Sequence, residues 1–188
     1  MEEIPQYLME ATAGTDTPQG ILAVFALRRL PIPDPLDFVL VLENLRDPGN
    51  LGTLLRTAAA AKVQAVLLTP GTVDAFSPKV LRSAMGAHFR LSIHSLTWEE
   101  IQQLCHPQGK AQLKIYLAEG QNGIPSWKLN LRPPLALIIG SEAEGASEQA
   151  CQLADCTINI PMPGGSESLN AAVAGSILIF EIVRQRLT

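Results

Sequence analysis

The chain has 188 residues, 47% apolar and 17% charged, proportions of an ordinary globular domain that exclude a charged, disordered tail protein. No apolar run approaches the roughly 18 residues of a membrane span, and the acidic N-terminus MEEIPQYLMEATAG lacks the apolar stretch of a signal peptide. The net charge of −4 argues against a non-specific nucleic-acid coat, which would be basic. That charge divides unevenly. Residues 46–90 hold six basic and two acidic side chains, +4, against −8 for the remainder. A local basic segment is compatible with a phosphate backbone, and equally with a solvated charged face. Cys105, Cys151 and Cys156 form no CxxC pair, and the three histidines have no metal spacing. A reduced, cytoplasmic protein with no metal site is expected.

Residues 1–36 contain Pro5, Pro18, Pro31, Pro33 and Pro35. Within them GILAVFAL (20–27) reads as a strand, which must lean on something else because a lone strand cannot bury itself. PIPDP (31–35) reads as a linker, since repeated proline favours extended chain. The main domain is expected over 37–188. FVLVL (38–42) is a continuous apolar strand of the kind buried on both faces. DPGN (47–50) reads as a turn, with Asn50 capping a helix from about Leu51 to Ala61 whose Leu51, Leu54, Leu55 and Ala58 face the core. AVLL (65–68) is a strand and 78–85 a helix. Thr97 and Glu100 fit a capping box opening a helix to about Cys105. Strands at 115–118, 135–139 and 157–160 flank a short helix at 148–153, and a long helix closes the chain from about Leu169 to Arg186. That last helix is apolar nearly all round, which predicts burial in the core or a subunit interface. The alternation predicts an α/β fold with a mainly parallel sheet flanked by helices.

Ligands of such sheets bind at the carboxyl ends of the strands. Chemistry is therefore expected after strands 38–42, 135–139 and 157–160. The first of these loops opens ENLRDPGNLGTLLRTA (43–58), where Gly52 and Arg56 share a helix stripe away from the leucines. Gly52 would let a ligand approach and meet Arg56. The bland alternative is a solvated arginine. The second, GSEAEGAS (140–147), begins with Gly140 and Ser141 and carries Glu142 and Glu144, of which Glu144 reads as surface charge. The third, IPMPGGSESLN (160–170), offers Ser166, Ser168 and Asn170 beside a helix start. No lysine follows its glycines as a phosphate loop requires, and no G-x-G-x-x-G follows the first strand. A nucleotide-dependent enzyme is thereby disfavoured.

Together DPGNLGTLLRTA, LIIGSEAEG and INIPMPGGSESLNAAVA resemble the three motifs of the SpoU (TrmH-type) RNA 2′-O-ribose methyltransferases of the SPOUT superfamily, and MGAHFRLSI (85–93) resembles a recurrent segment of that family. Ala143 departs from the pattern, where glycine is common. The resemblance implies a sheet whose C-terminal part is threaded into a deep trefoil knot, S-adenosyl-L-methionine as cofactor, an obligate homodimer, and RNA, either tRNA or slightly preferred rRNA, as substrate. It places cofactor contacts on Gly140, Ile160 and Leu169, with Ser141 and Met162 beside them. It places the polar active-site positions on Asn50, Arg56, Glu142, Ser168 and Asn170. It makes residues 1–36 the remnant of an RNA substrate-binding domain. The alternative is a non-catalytic RNA-binding or scaffold protein of the same fold.

Overall fold

A computed structural model of the chain describes residues 3–188 other than 16, 25, 28, 110, 121 and 142–144. Seven parallel strands form one sheet in the order β3-β2-β1-β6-β4-β7-β5. They are β1 (Phe38–Leu42), β2 (Ala65–Leu68), β3 (Ser92–Ser95), β4 (Lys114–Ala118), β5 (Ile124–Pro125), β6 (Leu135–Ile139) and β7 (Cys156–Asn159). The helices are α1 (Gln6–Ala13), α2 (Pro48–Ala60), α3 (Pro78–Ser83), α4 (Trp98–Cys105), α5 (Glu148–Leu153) and α6 (Ala171–Leu187).

The unbroken apolar runs of β1, β2 and β6 follow from burial on both faces. Phe38, Leu40 and Leu42 point into one core with Leu54 and Leu55 of α2, Val80 of α3 and Ile179 of α6. Val39 and Val41 point into a second with Ile101 and Cys105 of α4 and Ala150 of α5. Burial pushes the Cys105 thiol, with the nearby Asp155 charge adding to it, up to about 12. The period of two along each strand thus feeds both helical layers.

Several expectations change. Residues 21–24 form no strand, and Ile21 and Val24 stay solvent-exposed because no sheet edge pairs with them. The proline-rich segment after them is no free tether. Ile32 and Leu36 pack on the second core, and the Leu30 carbonyl accepts hydrogen bonds from Ser92 Oγ at 3.1 Å and His94 Nε2 at 2.9 Å. The helix expected from Leu51 begins at Pro48, with Asp47 rather than Asn50 as its cap. Asp47 Oδ1 accepts from the Asn50 amide at 2.7 Å. Proline suits the first helical position because its missing N–H would be unpaired there anyway. The capping box at Thr97 and Glu100 is present. Helix α1 and strands β3 and β5 had no counterpart in the sequence reading. Among the described residues no helix is long and apolar enough to cross a membrane.

Candidate functional site

The register aligns Leu42, Ile139, Ala118 and Ile158 in one row at the carboxyl edge of the sheet. Above the β6, β4 and β7 part of that row lies a cavity of about 340 Å³. Its walls come from three loops. Gly140 and Ser141 follow β6, Ile160, Met162, Ser168 and Leu169 follow β7, and Glu119, Gly120 and Asn122 follow β4. Six residues expected from the sequence are therefore brought together around one cavity: Gly140, Ser141, Ile160, Met162, Ser168 and Leu169.

The loops approach closely, and glycine is what permits it. A Cβ on Gly120 would stand 2.9 Å from the Glu167 carbonyl oxygen, so the post-β4 and post-β7 loops touch backbone to backbone. A Cβ on Gly140 would meet the Gly145 carbonyl oxygen at 3.3 Å and the Glu43 carboxylate at 3.4 Å. Glu43, at the end of β1, is 4% exposed. Both its oxygens accept from the Ser147 amide at 3.3 Å. It ties the first loop to the second, and Ser147 in turn caps α5 through its side chain.

Asn170 ties the first loop to the third. Its Oδ1 accepts from the Ala172 and Val173 amides, capping α6, and its Nδ2 donates to Asn50 Oδ1 at 3.1 Å. An asparagine can do both because its amide carries an acceptor and two donors. The sequence reading placed Asn50 and Asn170 near the site but could not foresee this contact across 120 residues of chain.

Arg56 is exposed on α2 and does not line the cavity. Its neighbour Thr57 meets Ser176 of α6 at 3.0 Å between the two hydroxyls. Gly52 is not an opening for a ligand, contrary to expectation. It is buried against α3, where an added Cβ would fall 1.8 Å from Ser83 Oγ and 2.6 Å from Ser83 Cβ. The glycine lets two helices meet. Glu142, the remaining candidate, and its neighbour Glu144 lie outside the described residues.

Sequence reasoning missed Glu119, Gly120, Asn122 and Glu43. The first three follow a strand that was assigned, so the strand-end rule applied to β4 would have found them. Among the described residues lining the cavity, Glu119 is the charged one.

A family model described as the SpoU rRNA Methylase family matches residues 37–180. The chain is 35% identical to the mitochondrial rRNA methyltransferase 3 of Mus musculus, over 90% of this chain and 53% of that protein. It thus spans about half the length of that relative. It is 37% identical to the 23S rRNA (guanosine(2553)-2′-O)-methyltransferase RlmP of Bacillus subtilis, over 92% of this chain and 68% of that protein. The crystal structure of an AdoMet-bound rRNA methyltransferase from Sinorhizobium meliloti superposes with a TM-score of 0.88 at 28% identity, covering 98% of this chain and 71% of that one. With the family model spanning most of the parallel sheet and its three loops, the chain belongs to the SpoU rRNA methylase family of the SPOUT superfamily.

Proposed function

We propose that this chain is an RNA methyltransferase that moves a methyl group from S-adenosyl-L-methionine to a ribose 2′-hydroxyl, with rRNA preferred over tRNA as substrate. The observation that carries the reading is the cavity itself. Three separate loops at one sheet edge enclose about 340 Å³, within the range of small-molecule sites, about 300–1,000 Å³. The relatives named above are rRNA methyltransferases, and the structural neighbour binds AdoMet.

The residues present fit that cofactor. Ile160, Met162 and Leu169 supply apolar wall for an adenine ring, and Gly140 brings backbone close enough to bond its polar edge. Glu119 sets a carboxylate in a wall facing a ligand with two cationic centres. The cofactor supplies an electrophilic methyl on sulfonium, and the hydroxyl oxygen gains the carbon as the sulfur loses it. What remains for the protein is orientation and stabilisation of the charge that develops on the hydroxyl oxygen, whose proton passes to solvent.

Arg56 is assigned to that activation. A guanidinium offers donors and no acceptor, so it is a poor base. It acts by gripping the adjacent phosphate and stabilising charge that develops on the oxygen. Asn50 and Asn170, joined at 3.1 Å, hold the loop that positions the ribose. Ser168 shapes the substrate side of the cavity, and Glu142 completes the polar set. The knot belongs to this proposal, supported by the packing of the post-β7 loop against the post-β4 loop at Gly120.

So does the homodimer. Val173, Ile177 and Phe180 form a half-exposed stripe on α6, spaced as one helix face. Ser176 sits within it and contacts Thr57, the residue after Arg56. A reducing, cytoplasmic compartment fits the three free thiols.

The test is methyl transfer to ribosomal and transfer RNA by wild type and Arg56→Ala, alongside calorimetric titration with S-adenosylmethionine. Loss of transfer with cofactor binding intact supports the assignment. Full transfer by Arg56→Ala removes Arg56 from the mechanism. Failure of wild type to bind the cofactor points to the scaffold alternative.

A further inference from the structure

A second concavity lies beside the C-terminal end of α6. It lies between the 3-10 turn Ser126–Lys128, the approach to β6 and the last turn of α6. Trp127, Lys128, Arg132 and Arg184 line it beside Gln185 and Thr188, around about 350 Å³. Trp127 is 56% exposed. Arg132 Nε donates to the Gln185 carbonyl oxygen at 2.8 Å, which fixes its planar fork at the rim.

The charge of this end is lopsided. Lys114 lies level with Leu135 at the foot of the sheet, and Arg186 is held by Asp37 at 2.8 Å. With Lys128, Arg132 and Arg184, five of the eight basic residues outside 46–90 gather here. The acids of this end are engaged. Glu181 chelates Arg184 at 2.8 Å, Asp37 holds Arg186, and Asp155 accepts from the Ile115 amide.

We propose that this cleft is a second RNA contact, taking a single-stranded segment with one base stacked on Trp127 and its phosphates against Lys128 and Arg132. The proposal rests on the RNA-methyltransferase reading of the cavity. An acidic peptide would answer the cations but leave the indole face unused, whereas every nucleobase has a face to stack on it. The geometry also sets a reach. The cavity touches α6 at Ala174 and the cleft touches it at Arg184. At 1.5 Å per residue these points are about 15 Å apart. At about 3.4 Å per nucleotide along a stacked strand, that is four to five nucleotides from the reacting ribose. Short substrates should not feel the cleft, and longer ones should.

The experiment uses the full chain, fluorescence anisotropy at low salt, and a labelled oligoribonucleotide of about twelve nucleotides, longer than that reach. Trp127→Ala is expected to weaken its binding by about thirty-fold, the middle of the range for losing one stacked base. Lys128→Ala should lower the slope of log affinity against log salt by about 0.7. Neither variant should alter calorimetric binding of S-adenosylmethionine. Quenching of Trp127 emission by RNA in a Trp98→Phe background would support stacking directly. Unchanged affinity of Trp127→Ala for this oligonucleotide overturns the proposal. Polyglutamate competing as well as RNA, with Trp127→Ala silent, overturns it in favour of a protein partner. Failure of the wild type to bind S-adenosylmethionine refutes the enzyme reading separately, and the Trp127 comparison still decides the cleft.

Discussion

Replacing Gly52 with alanine is the most direct test of how α2 is held. In a helix interior this change normally helps, by about 1 kcal/mol of helix propensity. Here the new methyl would fall 1.8 Å from Ser83 Oγ, 2.6 Å from Ser83 Cβ and 3.0 Å from the Ala84 amide nitrogen. The hydroxyl can rotate away, but the Cβ and the backbone cannot. Helices α2 and α3 must separate, an overpacking cost of about 1–3 kcal/mol. Separation also strains the Ser83 hydroxyl, which donates toward the Pro48 carbonyl oxygen at 3.2 Å, a bond contributing about 1 kcal/mol. The balance is a net loss of about 1–3 kcal/mol, or a fall in Tm of roughly 2–12 °C for a chain of this size. Ser83→Gly removes both side-chain atoms from the collision. The double variant should therefore be more stable than the sum of the single losses, by about 1 kcal/mol or more of coupling. Urea unfolding of all four proteins supplies the cycle, with unchanged slopes confirming comparable unfolded states. A Gly52→Ala protein as stable as wild type, or a cycle that closes additively, would refute the close-packing argument.

Two further outcomes concern the last helix. Gln185, 8% exposed, accepts from the buried Leu131 amide at 2.9 Å, so Gln185→Ala strands a donor and should cost about 1–3 kcal/mol in urea unfolding. Glu181 is held below the usual carboxylate range chiefly by its bonds from Arg184. A depressed carboxylate stabilises the fold fully above its unfolded pKa, about 4.3, and loses that contribution as pH falls through the folded value. Glu181→Gln should accordingly lower stability by under about 1 kcal/mol at pH 7, with the difference vanishing in strongly acid solution. A gap that widened on acidification would contradict the sign.

The runs FVLVL, AVLL and LALII were legible as buried strands because a strand covered on both faces has no polar positions to disguise it. GILAVFAL looked the same, yet its residues 21–24 pair with nothing, since an apolar run becomes a strand only when an edge receives it. Asp47 outcompeted Asn50 as cap because Pro48 could start the helix three residues earlier. Strand β3 was concealed because SIHS carries a single apolar residue, Ile93, and lies at a sheet edge.

By itself, the sequence determined the parallel α/β class, the strand ends that carry chemistry, and six of the residues around the cavity. The class and the strand ends follow from local periodicity and from glycine and proline placed after strands, while Ile160, Met162 and Leu169 follow from the resemblance of the third loop to a family motif. Only the tertiary structure decided that Glu119 joins the cavity, that Asn50 meets Asn170, and that Gly52 serves helix packing while Arg56 stands apart on an exposed face. Each of these depends on which strands lie side by side. That order, β6-β4-β7 around the cavity, comes from the summed burial of the whole core and is written in no single segment.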